Sequence, residues 1–230
     1  MDANVIAAMA RWPDVADVYG WLSLTESGQW RLHPLGDAWP QNRDAEDVPA
    51  QGLPPPAEGH GAGVSISSPQ ILQFIDRNYA RDDRGQWFFQ NGPQRVYVRL
   101  DAAPYIVRTE GGAGGAMRLR THNGLDVQAV HEWWLDGAGK LYAQTEHGPG
   151  LIAGRDLAVV LDGLYTSEGA SLLSVLECDP QPSASIVLRP LAAQNGAAPA
   201  PARPAIELRR CPAAAIPQKL GFVRLPKPAR

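Results

Sequence analysis

Three histidines, His122, His131 and His147, fall in one β-rich stretch with Asp126, Glu132 and Glu146, the one concentration of ligand-type side chains in the sequence. A metal-dependent hydrolase would need two or three of these groups to converge on a point. The spacing does not enforce convergence, because neither HxH nor HxxxH occurs. In the hairpin register given below, His131 stands opposite Thr145 and His147 lies beyond the paired segment. The three are therefore weak metal candidates, with polar strand and turn histidines as the plainer reading.

A second group is carried by an alternating run. Arg95, Tyr97 and Arg99 share one face of a strand, and Val96, Val98 and Leu100 share the other. The valine face is expected to be core. The Arg-Tyr-Arg face is either an ordinary solvent face or a ligand platform, since arginine and aromatic side chains dominate binding hot spots. These three are the candidate ligand-binding residues.

Other chemistries lack their signatures. No Gly-x-Ser-x-Gly elbow occurs, and Cys178 precedes Asp179-Pro180 with nothing local to lower its pKa. The glycine cluster 111–115 has no following lysine or helix and reads as a hairpin loop rather than a phosphate cradle. Cys178 and Cys211 show no zinc spacing and are expected to be two unpaired thiols. With 21 basic against 24 acidic residues the formal charge is -3, and no basic stripe suggests nucleic acid. The N-terminal segment fails as a signal peptide, and no apolar run reaches the ~18 residues of a membrane span. A cytoplasmic protein without a cofactor is expected.

A chain of 230 residues can bury roughly 70% or more of its unfolded surface, enough for one large core or two small ones. The elements that would position the candidates are mostly hairpins. Gly-Gln-Trp occurs twice, at Gly28-Gln29-Trp30 and Gly85-Gln86-Trp87, each after a polar turn, and Asp136 to Leu141 has the same grammar. With Glu26-Ser27-Gly28 as a three-residue loop and Gly28 left-handed, Leu24 pairs with Trp30 and Leu22 with Leu32, giving four apolar groups on one face. The loop at 137–139 likewise pairs Leu135 with Leu141, Trp133 with Ala143 and Trp134 with Tyr142. Both faces of that hairpin carry aromatic rings, so it is covered on both sides or binds something through one.

Helices are expected at 4–11 (capped by Asn4), at about 69–80 (Ser68-Pro69 at its start, with Ile71, Leu72, Ile75 and Tyr79 as its stripe) and at 155–165. Strands are expected at 86–90, 94–100, 105–109, 117–121, 127–135 and 140–146, in an antiparallel meander, with short strands at 186–189, 206–209 and 222–225. Residues 40–63 read as a Pro/Gly-rich linker and 196–205 as an Ala/Pro-rich one. The expected organisation is 1–63, helix, hairpin and linker; 64–190, helix plus sheet; and 191–230, linker and terminal strands.

The stretch from Asp82-Asp83-Arg84-Gly85-Gln86-Trp87 through Val96-Tyr97-Val98-Arg99-Leu100-Asp101-Ala102-Ala103-Pro104-Tyr105 resembles an uncharacterised beta-proteobacterial family, a domain of unknown function. It is also similar, more distantly, to a second uncharacterised proteobacterial family whose pattern runs acidic-acidic-x-Gly-x-aromatic, then Thr-Pro-x-Glu, then Val-x-Ile-x-Val-x-Asp-Ala-Pro-Phe. Gln94 stands where that pattern has its glutamate. Leu119 to Gly124 and the 155–165 helix extend the likeness. The resemblance implies an α+β protein rich in antiparallel sheet, and no activity; with the two to three helices read from the residues, the expected fold class is α+β, mainly antiparallel sheet.

The expectation is a non-enzymatic binding or interaction module for a small molecule or protein, acting through Arg95, Tyr97 and Arg99. A hydrolase using His122, His131 or His147, and a structural subunit of a complex, are the alternatives.

Overall fold

The computed structural model describes residues 1–38, 63–111, 117–179, 186–189 and 205–228. Nearly all of the 40–63 linker, the glycine cluster and the Ala/Pro stretch fall outside them. In chain order the elements are α1 (Ala3–Arg11), β1 (Val18–Leu24), β2 (Trp30–Leu32), β3 (Val64–Ser65), α2 (Pro69–Arg77), β4 (Tyr79–Arg81), β5 (Trp87–Asn91) and β6 (Gln94–Leu100). They continue with β7 (Tyr105–Gly111), β8 (Met117–Thr121), β9 (Asp126–Val127), β10 (Val130–Asp136), β11 (Leu141–Thr145) and β12 (Gly148–Ile152). The remainder are α3 (Leu157–Gly163), α4 (Leu172–Cys178), β13 (Val187–Leu188), β14 (Ile206–Cys211) and α5 (Ile216–Leu220).

The class is mixed α+β, with five helices and two large sheets among the described residues. The antiparallel meander with two to three helices needs correction on both counts. Strand β1 pairs in parallel with β6, β7 with β12, and β10 with β14, so each sheet is mixed. Helices α4 and α5 are seven and five residues long, too short for periodicity to reveal, and 222–225 is not a strand. Helix α2 also stops at Arg77, after which Tyr79 begins β4.

Contacts divide the chain into two compact units, residues 1–104 with 217–230, and residues 105–216. The first holds a six-stranded sheet in the order β3-β2-β1-β6-β5-β4. Its core face carries Leu22, Leu24, Trp30, Trp87, Val98 and Leu100, all buried. The Leu24–Trp30 and Leu22–Leu32 pairs form as expected, although Leu32 near the sheet edge stays 42% exposed. Tyr79 lies between both Gly-Gln-Trp tryptophans, its ring 5.1 Å from that of Trp30 and 4.9 Å from that of Trp87. Residues beyond α5 return to this unit as a strap: Val223 N–H donates to the Gly85 carbonyl, Leu100 N–H to the Arg224 carbonyl, and Arg224 to the Leu100 and Asp101 carbonyls. Phe222 is buried beneath it.

The second unit holds an eight-stranded sheet, β13-β14-β10-β11-β12-β7-β8-β9. Trp133, Leu135, Leu141 and Leu208 form its core with Val160, Leu161 and Leu164 of the α3 segment and Leu172 of α4. The Leu135–Leu141, Trp133–Ala143 and Trp134–Tyr142 pairs are those expected, and Trp133, Trp134 and Tyr142 are all buried, so the hairpin is covered on both faces.

One turn recurs five times among the described residues, at Thr25–Gln29, Asp82–Gln86, Thr121–Leu125, Asp136–Lys140 and Thr166–Ala170. In each, the first residue's N–H donates to the fifth residue's carbonyl, and the fourth residue, a left-handed glycine, donates to the first carbonyl. The first side chain, always Thr or Asp, accepts the fifth N–H at 2.8–3.2 Å. That oxygen satisfies a donor the tight loop would otherwise strand, which is why Thr or Asp precedes each glycine by three positions. Changing Thr121 to valine keeps the shape and removes the acceptor for Leu125 N–H. Urea unfolding should show a loss of ~1 kcal/mol.

Candidate functional site

The turn Asp82–Gln86 joins β4 to β5 and carries the groups of greatest chemical interest in the first unit. Asp82 is fully committed: it accepts the N–H groups of Arg84 and Gln86, the Gln86 side chain and the Tyr97 hydroxyl. Burial works against its ionisation, yet these hydrogen bonds hold its carboxyl below the usual carboxylate range. Tyr97 in turn stacks flat on Tyr19, with ring centroids 4.6 Å apart and planes 2° from parallel. Burial, then the neighbouring Tyr97 and Asp17, push the Tyr19 hydroxyl up to about 12, so it stays protonated at neutral pH. The Arg84 guanidinium interacts with both tyrosine hydroxyls and lies 3.6 Å from Asp82, while its side chain remains half-exposed. It is a held cation.

Beside it opens a cleft of about 340 Å³, lined by Arg81, Asp83, Arg84 and Gly85 on one side and by Pro217, Gln218, Gly221, Phe222 and Val223 of α5 and the strap on the other. The volume lies within the range typical of small-ligand sites. Arg81 is exposed, and among the described residues it has no ion-pair or hydrogen-bond partner. The cleft thus offers one unengaged guanidinium next to one fixed by its neighbours.

The expected Arg95-Tyr97-Arg99 face is placed differently from an open platform. Tyr97 is 1% exposed and Arg99 9%. Arg99 donates to the Ala38 carbonyl and pairs with Asp101 at 3.1 Å, and Arg95 lies 4.8 Å over the Phe88 ring. The face is packed, and its reach to solvent passes through Arg95 and, by way of Tyr97, through Arg84. Sequence alternation found the strand and its faces but could not show that loop residues 33–38 and Tyr19 close over one of them.

The three histidines do not meet. His122 is buried in the second unit, where Nδ1 accepts the Ile106 N–H at 3.3 Å, and burial, helped by Arg108, pushes it down to about 3. His131 is not opposite Thr145, as the register had it. Val130 takes that place and His131 is the exposed extra residue of a bulge before Glu132. His147 Nε2 donates to the Asp126 carbonyl, and Glu146 accepts the Gln128 and Ala129 N–H groups. No group of three or more His, Cys, Asp or Glu positioned to hold a metal occurs among the described residues.

A constellation that sequence spacing did not reveal lies in the first unit. Ser23 Oγ is 2.8 Å from His33 Nε2, and Asp37 Oδ1 is 3.7 Å from Nδ1, in the order of a Ser-His-Asp triad. Ser23 and His33 are each 0% exposed, so a substrate carbonyl has no path to the hydroxyl, and 3.7 Å exceeds a hydrogen bond. Burial, and then the nearby Arg99, lower the His33 pKa and keep it neutral. The trio works as an internal clamp between β1 and the chain after β2.

The site and fold define an α+β protein built on two mixed sheets, with an arginine-lined cleft in the first unit. The family DUF2944, described as "Protein of unknown function (DUF2946)", matches residues 1–227, and the chain belongs to that family. No curated protein matches. Similar solved structures include a DUF1285 family protein from Silicibacter pomeroyi DSS-3, 14% identical, with 75% of this chain and 92% of that one covered and a TM-score of 0.42. Another is a DUF1285 family protein from Shewanella baltica OS155, 13% identical, covering 60% and 87%, with a TM-score of 0.35. No helix among the described residues is long and apolar enough to cross a membrane.

Proposed function

We propose that the unit formed by residues 1–104 and 217–230 is a non-enzymatic binding module that takes a ligand bearing carboxylate or phosphate oxygens in the cleft beside the Asp82–Gln86 turn. The observation that carries this reading is Arg81, an exposed guanidinium without a partner among the described residues, placed on the same cleft as the half-exposed Arg84. Arginine's planar fork matches such oxygens in pairs. Arg95, Tyr97 and Arg99 enter as support: Tyr97 fixes Asp82 and Arg84, and Arg99 ties down the chain at Ala38.

The test is a titration of the full chain with glutarate, followed through the side-chain Nε–H resonances. Those of Arg81 and Arg84 should shift and saturate, while that of exposed Arg118 in the second unit should not. Parallel shifts at Arg118, or none anywhere, would count against the cleft.

A further inference from the structure

Resting on the reading of this cleft, we infer that its ligand is an extended acidic peptide that adds as a strand to the free edge of β4. Strand β4 is the last in the six-stranded sheet, with β5 on one side only. Facing residues of an antiparallel pair alternate between exchanging both main-chain hydrogen bonds and exchanging none. Asp82 N–H donates to the Gln86 carbonyl and Gln90 N–H to the Asn78 carbonyl, so the bonded positions are Asn78, Ala80 and Asp82. Arg81, opposite Trp87, falls between them. Its own N–H and C=O therefore turn away from β5, toward the open edge.

Main chain and side chain of one residue thus point to the same kind of partner. A peptide lying along this edge gives its N–H and C=O to Arg81, the arrangement used wherever a peptide extends a sheet. Its carboxylates then come within reach of Arg81 and Arg84, and Pro217, Phe222 and Val223 supply apolar lining to the same cleft. Charge selects the occupant. A basic peptide meets two guanidinium groups against the single carboxylate of Asp83, and a second copy would bring its own Arg81 to the same edge.

The full chain is titrated calorimetrically with four probes: acetyl-Val-Glu-Val-Glu-Val-amide, the same peptide N-methylated at alternate residues, its lysine counterpart, and glutarate. The acidic peptide should bind, weaken by roughly tenfold on Arg81→Ala, and weaken similarly on N-methylation, while the lysine peptide stays unbound. Arg81→Ala changes an exposed side chain, and an unchanged circular dichroism spectrum confirms that the variant is folded. If the N-methylated peptide binds as well as the parent, or if glutarate binds and the peptide does not, strand addition is overturned and the anion cleft stands. If none of the four binds, both readings fall.

Discussion

Replacing Gly85 by alanine is expected to destabilise the first unit by more than the same change at Gly139, although both glycines occupy the fourth position of the same turn. Both are left-handed, with φ of +77° and +79°, so each variant bears the ~1–2 kcal/mol that a side chain costs there. At Gly139 a new Cβ meets nothing within 4 Å. At Gly85 it would stand 2.7 Å from the Gly221 carbonyl oxygen. That oxygen is main chain and cannot swing aside, so the strap must shift and the Val223-to-Gly85 hydrogen bond must lengthen. Overpacking of this kind adds a further ~1–3 kcal/mol. Urea unfolding of the two variants measures the difference, and limited proteolysis should cut Gly85→Ala faster within residues 217–228. Equal losses at the two sites would show that the strap does not rest on the turn.

Acid should unfold the second unit early, with His122 as a principal cause. Its pKa is pushed down from 6.5 to about 3 in the folded protein, so between those values the unfolded chain takes up a proton that the native state refuses. Stability is complete above pH 6.5 and is lost as pH falls toward 3, at ~1.4 kcal/mol per pH unit from this residue. In the first unit His33, also lowered, acts in the same direction. His122→Asn keeps an acceptor near the Ile106 N–H and removes the titration. Its stability, followed by urea unfolding from pH 7.5 down to 4.5, should fall less steeply than that of the wild type. Parallel slopes for wild type and His122→Asn would remove His122 as the cause.

The legible features were those fixed within a few residues. A left-handed glycine three positions after Asp or Thr determines a loop of three, and the loop then determines the register, which is why the sequence alone pairs Leu24 with Trp30 and Trp133 with Ala143. The bulge at His131 escaped because nothing local distinguishes it from continuous pairing. Parallel partners such as β1 and β6 were equally invisible, since the residues that join them lie far apart in the chain. The cleft has the same character. Arg84 stood in the Asp82–Trp87 stretch, but Arg81 at the end of β4 carried no signal of its own, and the residues that make a site of the two come from 217–223. The Ser23–His33–Asp37 clamp depends on one chain reversal and on burial, and three common residue types at that spacing carry no signal on their own.

The discontinuity of the first unit also bears on how the protein is made. Its sheet strands all precede residue 105, but the segment that satisfies Leu100 N–H and the Gly85 carbonyl comes from beyond residue 216. On the ribosome, chains emerge from the N-terminus and contacts between distant residues form late. The early portion must therefore persist, incomplete, while the entire second unit is translated, with the ground beneath Phe222 uncovered throughout that interval. The vulnerable species in the life of this protein is the nascent chain.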